Sequence, residues 1–157
     1  MEGAVGEGDI TVLKIAPEVA EFIASHRIAR LATADAAGVP HAVPICYVFD
    51  GICIYSALDL KPKRVQGRAL KRVRNILENP NVALIIDDYS EDWNELAYVL
   101  IQGSAHLVDA LVDQGEEQRR AEALLREKYP QYEALLEPGC TVIRIAPSNV
   151  VSWGLTP

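Results

Sequence analysis

The stretch HAVPICYVFDGICIYSA, residues 41–57, decides the fold. Two runs rich in apolar, β-branched and aromatic residues flank Asp50-Gly51, the strongest short-range signal for a β-hairpin. A two-residue turn at that dipeptide predicts that Phe49 opposes Ile52, Tyr47 opposes Ile54 and Cys46 opposes Tyr55. One face of the hairpin then carries Ile45, Tyr47, Phe49, Ile52, Ile54 and Ser56. The other carries Pro44, Cys46, Val48, Cys53, Tyr55 and Ala57. Both faces are mainly apolar, so both must be covered: one by a barrel core, the other by a partner, a helix or a ligand.

Outward from the hairpin, the flanking segments read as a β-rich domain. Pro17–Ser25 predicts a helix, with proline in its first turn and Val19, Phe22 and Ile23 at helical spacing. Arg27–Thr33 predicts a strand, and Ala34–Pro40 holds the turn residues Asp35, Gly38 and Pro40. Lys61–Asn79 reads as a basic helical stretch with Leu70, Val73, Ile76 and Leu77 as its apolar stripe, ended by Asn79-Pro80. Val82–Ile86 is a wholly apolar strand, and Asp87–Asn94 an acidic loop carrying Tyr89 and Trp93. Leu96–Val108 is a long strand with a bulge or bend at Gly103. Glu116–Lys128 is a charged amphipathic helix. Thr141–Ile145 and Asn149–Trp153 are the last strands, separated by Pro147. Six or seven strands with few helices predict a mainly β Greek-key barrel.

The chain has 157 residues and a formal net charge of -7. That length predicts a single domain over 11–157, and the Gly- and Glu-rich start predicts a disordered N-terminal tail over residues 1–10. The negative balance argues against general nucleic-acid binding, where phosphate repulsion would dominate. No apolar run approaches the roughly 20 residues of a membrane helix, and the Gly- and Glu-rich start does not resemble a signal peptide. The expectation is therefore a cytoplasmic protein with no membrane partner. Its 3 cysteines stand at unrelated spacings and form no disulfide framework. His26, His41 and His106 show no metal-ligand spacing, so no metal site is expected.

The positive charge is concentrated. Lys61, Lys63, Arg64, Arg68, Lys71, Arg72 and Arg74 fall in one short stretch without an acid among them. A basic patch on an acidic molecule predicts a small anionic ligand or, in the bland alternative, a solvated helix face. Lys61, Lys63, Arg68 and Arg72 are candidates for gripping a phosphate, with Ser56 adding a hydroxyl at a strand end. Lys71 and Arg74 read as solvent or ion-pair residues.

The order of these elements resembles the pyridoxamine 5'-phosphate oxidase-like family of FMN-binding split barrels. Arg72-Val73-Arg74-Asn75-Ile76, shortly before Asn79-Pro80, resembles that family's Lys-Val-Arg-Asn-Leu helix. Asp59-Leu60-Lys61-Pro62-Lys63-Arg64 together with Asp92-Trp93 resembles its branch of F420-dependent enzymes. The resemblance covers about Phe22 to Trp153. It implies a six- or seven-stranded split barrel and a homodimer with cofactor sites at the subunit interface. The implied cofactor is the deazaflavin F420, as first choice, or FMN. The implied activity is an oxidoreductase acting by hydride transfer to or from a small organic molecule, and not pyridoxamine phosphate oxidation. The alternative is a non-catalytic flavin- or heme-binding protein.

By the same resemblance Arg72 takes the phosphate-binding position, and Val43-Pro44-Ile45-Cys46 forms the wall for the rings. Pro44 lacks a donor, so the strand is expected to be locally unpaired there. Trp153 resembles an aromatic that reaches the cofactor across the dimer, and Gln102 and Ser104 are candidates to line the interface. Trp93 either covers the site or simply packs. Arg30, placed mid-strand, needs an acid or an anion, with Asp87 or Asp88 as the nearest acids. Tyr55 and Tyr98 are possible proton donors; no catalytic residue is assigned.

Overall fold

The computed structural model describes residues 12–58, 70–111 and 113–155. Among them run helix α1 (Pro17–Ser25), strands β1 (Ile28–Ala34), β2 (Pro40–Cys46), β3 (Val48–Phe49) and β4 (Ile54–Ala57), and helix α2 (Lys71–Glu78). They are followed by β5 (Asn81–Asp88), β6 (Ala97–Val108), α3 (Glu116–Lys128), the short α4 (Tyr132–Leu135) and β7 (Val142–Trp153). The seven strands form one antiparallel sheet in the order β2-β1-β5-β6-β7-β4-β3, curled into a half-barrel. This is the mainly β split-barrel architecture that the sequence predicts.

The decisive hairpin forms, but its register differs from the two-residue turn. Phe49 opposes Ile54 and Val48 opposes Tyr55. The Asp50 carboxylate is the cause. It accepts from the backbone N–H groups of Ile52 and Cys53 at 2.8 and 2.7 Å, while the Asp50 N–H donates to the Cys53 carbonyl at 3.1 Å. These bonds pull Ile52 and Cys53 into the turn. The displacement is two residues, so each side chain keeps its expected face. Ile45, Tyr47 and Ile54 enter the main core with Leu31, Leu84, Ile101 and Ile143. Val48, Cys53, Tyr55 and Ala57 enter a second core under α3 and α4, with Ala121, Leu125, Tyr129 and Tyr132. A helix, then, covers the hairpin's second apolar face.

Three other expectations change. The last two strands are one, because Pro147 sits within β7 opposite Gly103, where the β6–β7 register shifts. Proline lacks a ladder donor, and a bulge is where a sheet can absorb that. In α2, Leu77 is exposed while Asn75 is buried. Asn75 donates from Nδ2 to Thr33 Oγ1 at 3.0 Å, which turns the helix so that Val73, Asn75 and Ile76 point inward. Pro44 causes no break: β2 pairs with β1 without interruption from Pro40 to Cys46. Because β2 is an edge strand, a missing donor there costs no inter-strand bond on its open side.

Candidate functional site

Five strands, β2, β1, β5, β6 and β7, present a continuous outer face. Pairing places Pro44, Arg30, Ile85, Leu100 and Val151 in one row across it, and Ala42, Ala32, Ala83, Gln102 and Asn149 in the next. Their neighbours along each strand point into the core. The face is largely apolar, and Ile28, Ile85, Val151 and Trp153 are all exposed. Arg30 is exposed rather than buried; it donates to Asp87 on β5, the structural role weighed from the sequence. The Gln102 side-chain oxygen accepts from Asn149 Nδ2 at 3.1 Å, which leaves its amide NH2 turned elsewhere.

A second polar feature lies at the head of α2. Arg72 is half-buried there, one helical turn from Asn75. Among the described residues, the buried Asn75 Oδ1 has no hydrogen-bond partner, and neither has the buried Nδ1 of His41. His41 stands opposite Thr33 in the β1–β2 ladder, so the imidazole, the Thr33 hydroxyl and the Asn75 amide share one corner. Lys71 lies 3.8 Å from Asp35, the ion-pair role expected of it, and Arg74 is exposed. The backbone N–H of Val39 is the main influence holding the Asp35 carboxyl below its usual range.

The residues named from sequence distribute as follows. Lys61, Lys63 and Arg68 lie outside the described residues. Pro44, Gln102 and Trp153 share the outer face, while Arg72 stands at the α2 corner. Ile45 is in the main core, where Val43 packs against it, and Cys46 packs against the second core. Ser56 is buried and its hydroxyl donates to the Cys46 carbonyl at 2.8 Å. Tyr55 is withdrawn as a proton donor: it is buried in the second core and donates to Glu117 at 2.9 Å. Burial raises its pKa further, with Glu117 adding to the effect. Trp93 is exposed on a short 3-10 turn and is not packed in the core. Both ring nitrogens of His26 are engaged, Nδ1 with the Phe22 carbonyl at 2.7 Å and Nε2 with Asp88 at 2.8 Å.

Sequence reasoning missed a groove at the far end of the outer face. Asp87, Asp88, Tyr89, Leu96, Ala97, Tyr98 and Trp153 enclose about 450 Å³. The Tyr98 and Trp153 rings face one another at 6.2 Å and 19°. The alternation of β6 did place Tyr98 outward, but its pairing with Trp153 depends on the β6–β7 register.

Comparison with known proteins agrees with this architecture. Residues 15–154 match the sequence model of the family described as pyridoxamine 5'-phosphate oxidase. A 5a,11a-dehydrotetracycline/5a,11a-dehydrooxytetracycline reductase from Streptomyces rimosus is 29% identical over 140 residues, covering 85% of this chain and 79% of the relative. A conserved hypothetical protein from Mycobacterium tuberculosis superposes with a TM-score of 0.68 at 23% identity, covering 90% of this chain and 86% of that one. The heme storage protein HutZ from Vibrio cholerae superposes at 0.65 with 17% identity, covering 90% and 94%. Those two likenesses concern the fold alone. With the family match spanning nearly every described element, the chain belongs to the pyridoxamine 5'-phosphate oxidase-like family of FMN-binding split barrels.

Proposed function

We propose that this protein is a homodimeric oxidoreductase that binds the deazaflavin F420, with FMN as the alternative cofactor. The reading rests on the family match together with the reductase relative, and one structural observation carries it to particular residues. At the α2 corner, where Arg72 stands one helical turn before Asn75, the buried Asn75 Oδ1 and His41 Nδ1 have no hydrogen-bond partner among the described residues. The Thr33 hydroxyl can give or take a hydrogen bond, so the Asn75 amide can turn and offer an N–H instead of an oxygen. Arg72, Asn75 and His41 thus fit the anionic tail of a flavin-type group. The basic residues Lys61, Lys63 and Arg68 precede α2 in the chain and extend the same charge. They favour F420, whose tail carries carboxylates beyond its phosphate.

When bound, such a cofactor supplies a hydride equivalent. The chain's own part is to anchor the tail, to orient the rings and to exclude water from them. Pro44 offers an apolar surface beside the open edge of the sheet. The outer face supplies the subunit contact: its two central rows bury against a second copy, bringing Gln102 into the interface. Tyr98, at the end of the same face, remains the proton-donor candidate.

Equilibrium titration of the purified protein with F420 and with FMN tests the reading. F420 is expected to bind more tightly, and Arg72→Ala to weaken it by about tenfold or more, in line with the loss of one or two charge-assisted bonds. Tighter FMN binding reverses the cofactor assignment. Failure to bind either one, or affinity unchanged in Lys61→Ala, Lys63→Ala and Arg72→Ala alike, overturns the anion site.

A further inference from the structure

The groove at the ends of β5, β6 and β7 carries carboxylates that the cofactor reading does not use. We infer that it binds a planar organic cation, with the ring on Trp153 and Tyr98 and the charge against the carboxylates of Asp87 and Asp88.

The wall comes first. Tyr98 is 36% exposed and Trp153 52% exposed, although both are large aromatics in regular strands. Their rings are nearly parallel. Tyr89, 70% exposed, also lines the space. A volume near 450 Å³ suits a ligand of two or three fused rings.

The wall is also fixed in place. Gly154, which follows Trp153, has φ +75, and a Cβ there would lie 2.0 Å from the Leu96 carbonyl oxygen. Only glycine lets the end of β7 close onto the start of β6 in this way. Trp153 therefore projects from backbone held against the groove's own lining and not from a free end.

Charge decides which planar ligand fits. The segment from Asp87 to Glu95 holds five carboxylates, Asp87, Asp88, Glu91, Asp92 and Glu95, and no lysine or arginine. Arg30 balances Asp87, and His26 bonds to Asp88. Glu95 accepts from the Ser90 hydroxyl and Asp92 from the backbone N–H of Asn94. The local balance stays negative after Arg30 is counted. Aromatic faces are themselves electron-rich, so rings and carboxylates favour the same sign of ligand. An anion would meet repulsion, whereas a cation would add to the partners that Arg30 and His26 already give Asp87 and Asp88.

In the reading proposed above, this cation is the substrate; that identification rests on the reading, whereas binding does not. The test is calorimetric titration of cofactor-free protein with 1-methylquinolinium, neutral 2-methylquinoline and 2-naphthoate at pH 8. The cation is expected to bind about tenfold more tightly than its neutral counterpart, and the anion most weakly. Raising ionic strength from about 0.02 to 0.3 M should weaken the cation and leave the neutral ring unchanged. Trp153→Leu should reduce cation affinity about fivefold or more, with a thermal melt showing that the fold persists. Asp88→Asn should shrink the preference for cation over neutral ring, which a purely apolar groove would not show. Equal binding of cation and neutral ring, or cation binding unaffected in Trp153→Leu, overturns the inference. A failed cofactor titration with these results intact would overturn the cofactor reading alone.

Discussion

Gly103 of β6 stands opposite Pro147 of β7, and a methyl group added at Gly103 would lie 2.3 Å from the Ala146 carbonyl oxygen. Two residues poorly suited to a strand interior thus occupy the same step. The proline supplies no ladder donor, and the glycine lets the opposing backbone come close. Gly103→Ala is expected to lower stability by about 1–3 kcal/mol through overpacking against backbone. A fall in the urea midpoint with an unchanged slope checks it. No change in midpoint would mean that the approach relaxes freely.

The hairpin gives a second expectation. Asp50 accepts two backbone N–H groups and so sets the Phe49–Ile54 register. Asp50→Ala removes the one oxygen that accepts both N–H groups and should cost about 1–3 kcal/mol, partly offset where water reaches the turn. Asp50→Asn keeps one acceptor oxygen and should recover most of that loss. Equal destabilisation by the two variants would show that the charge and not the acceptor matters.

These two sites show what was legible. Gly103 and Asp50-Gly51 announce a bend and a turn in any sequence, and the alternation of β6 and of the hairpin fixed which faces are buried. A residue-exact register was beyond reach, because the Asp50 carboxylate chooses between turns of similar local propensity. Pro147 read as a strand break for the same reason: only its partner Gly103 shows that a bulge takes it in. The proposed anion site is legible as charge, whereas the Asn75 and His41 atoms that lack a partner among the described residues emerge only when α2 packs on β1. The Tyr98–Trp153 groove joins segments about fifty residues apart and follows from the register alone.

The outer face gives a third expectation. Ile85 lies at the centre of its apolar row, between Arg30 and Leu100, and is 39% exposed. A second copy seated there would bury it, so Ile85→Lys should convert a dimer to monomer in sedimentation while the fold survives. An exposed lysine on a strand is otherwise nearly neutral to stability. A wild-type monomer, or a variant that remains dimeric, removes this face as the contact.

Glu117 on α3 links three elements. It accepts from Tyr55 of β4 at 2.9 Å and from Arg144 Nη1 of β7 at 3.2 Å through each carboxylate oxygen. Glu117→Ala leaves Tyr55 and Arg144 without this acceptor in the second core and should cost about 2–3 kcal/mol. Glu117→Gln keeps an acceptor for Tyr55 and should cost less. A loss confined to the charge would instead make the two variants equal, and chemical denaturation of both separates these outcomes.

Lys128 gives the chain a pH signature. Its ammonium donates to the His26 carbonyl and lies 4.2 Å from the centre of the Tyr47 ring. Burial, with Arg27 adding repulsion, brings its pKa down to about 8 from 10.5. Between those values the unfolded chain holds a proton that the folded chain has released, so stability rises with pH. The cysteines and then the tyrosines set the upper limit. Burial raises the pKa of Cys140 to about 11 from 9.0 and raises that of Cys53 as well. It also raises those of Tyr47, Tyr55 and Tyr129, the last to about 12 from 10.0. Above about 9 the unfolded chain therefore ionises first at the thiols, and above about 10 at the phenols, and stability falls. Unfolding free energy should therefore climb from about pH 8 and turn over near pH 9. Lys128→Met should abolish the rising arm and leave the fall above about pH 9 in place. Urea titrations of both proteins at closely spaced pH values measure the two arms separately. A rise that persists in Lys128→Met would assign it to another group.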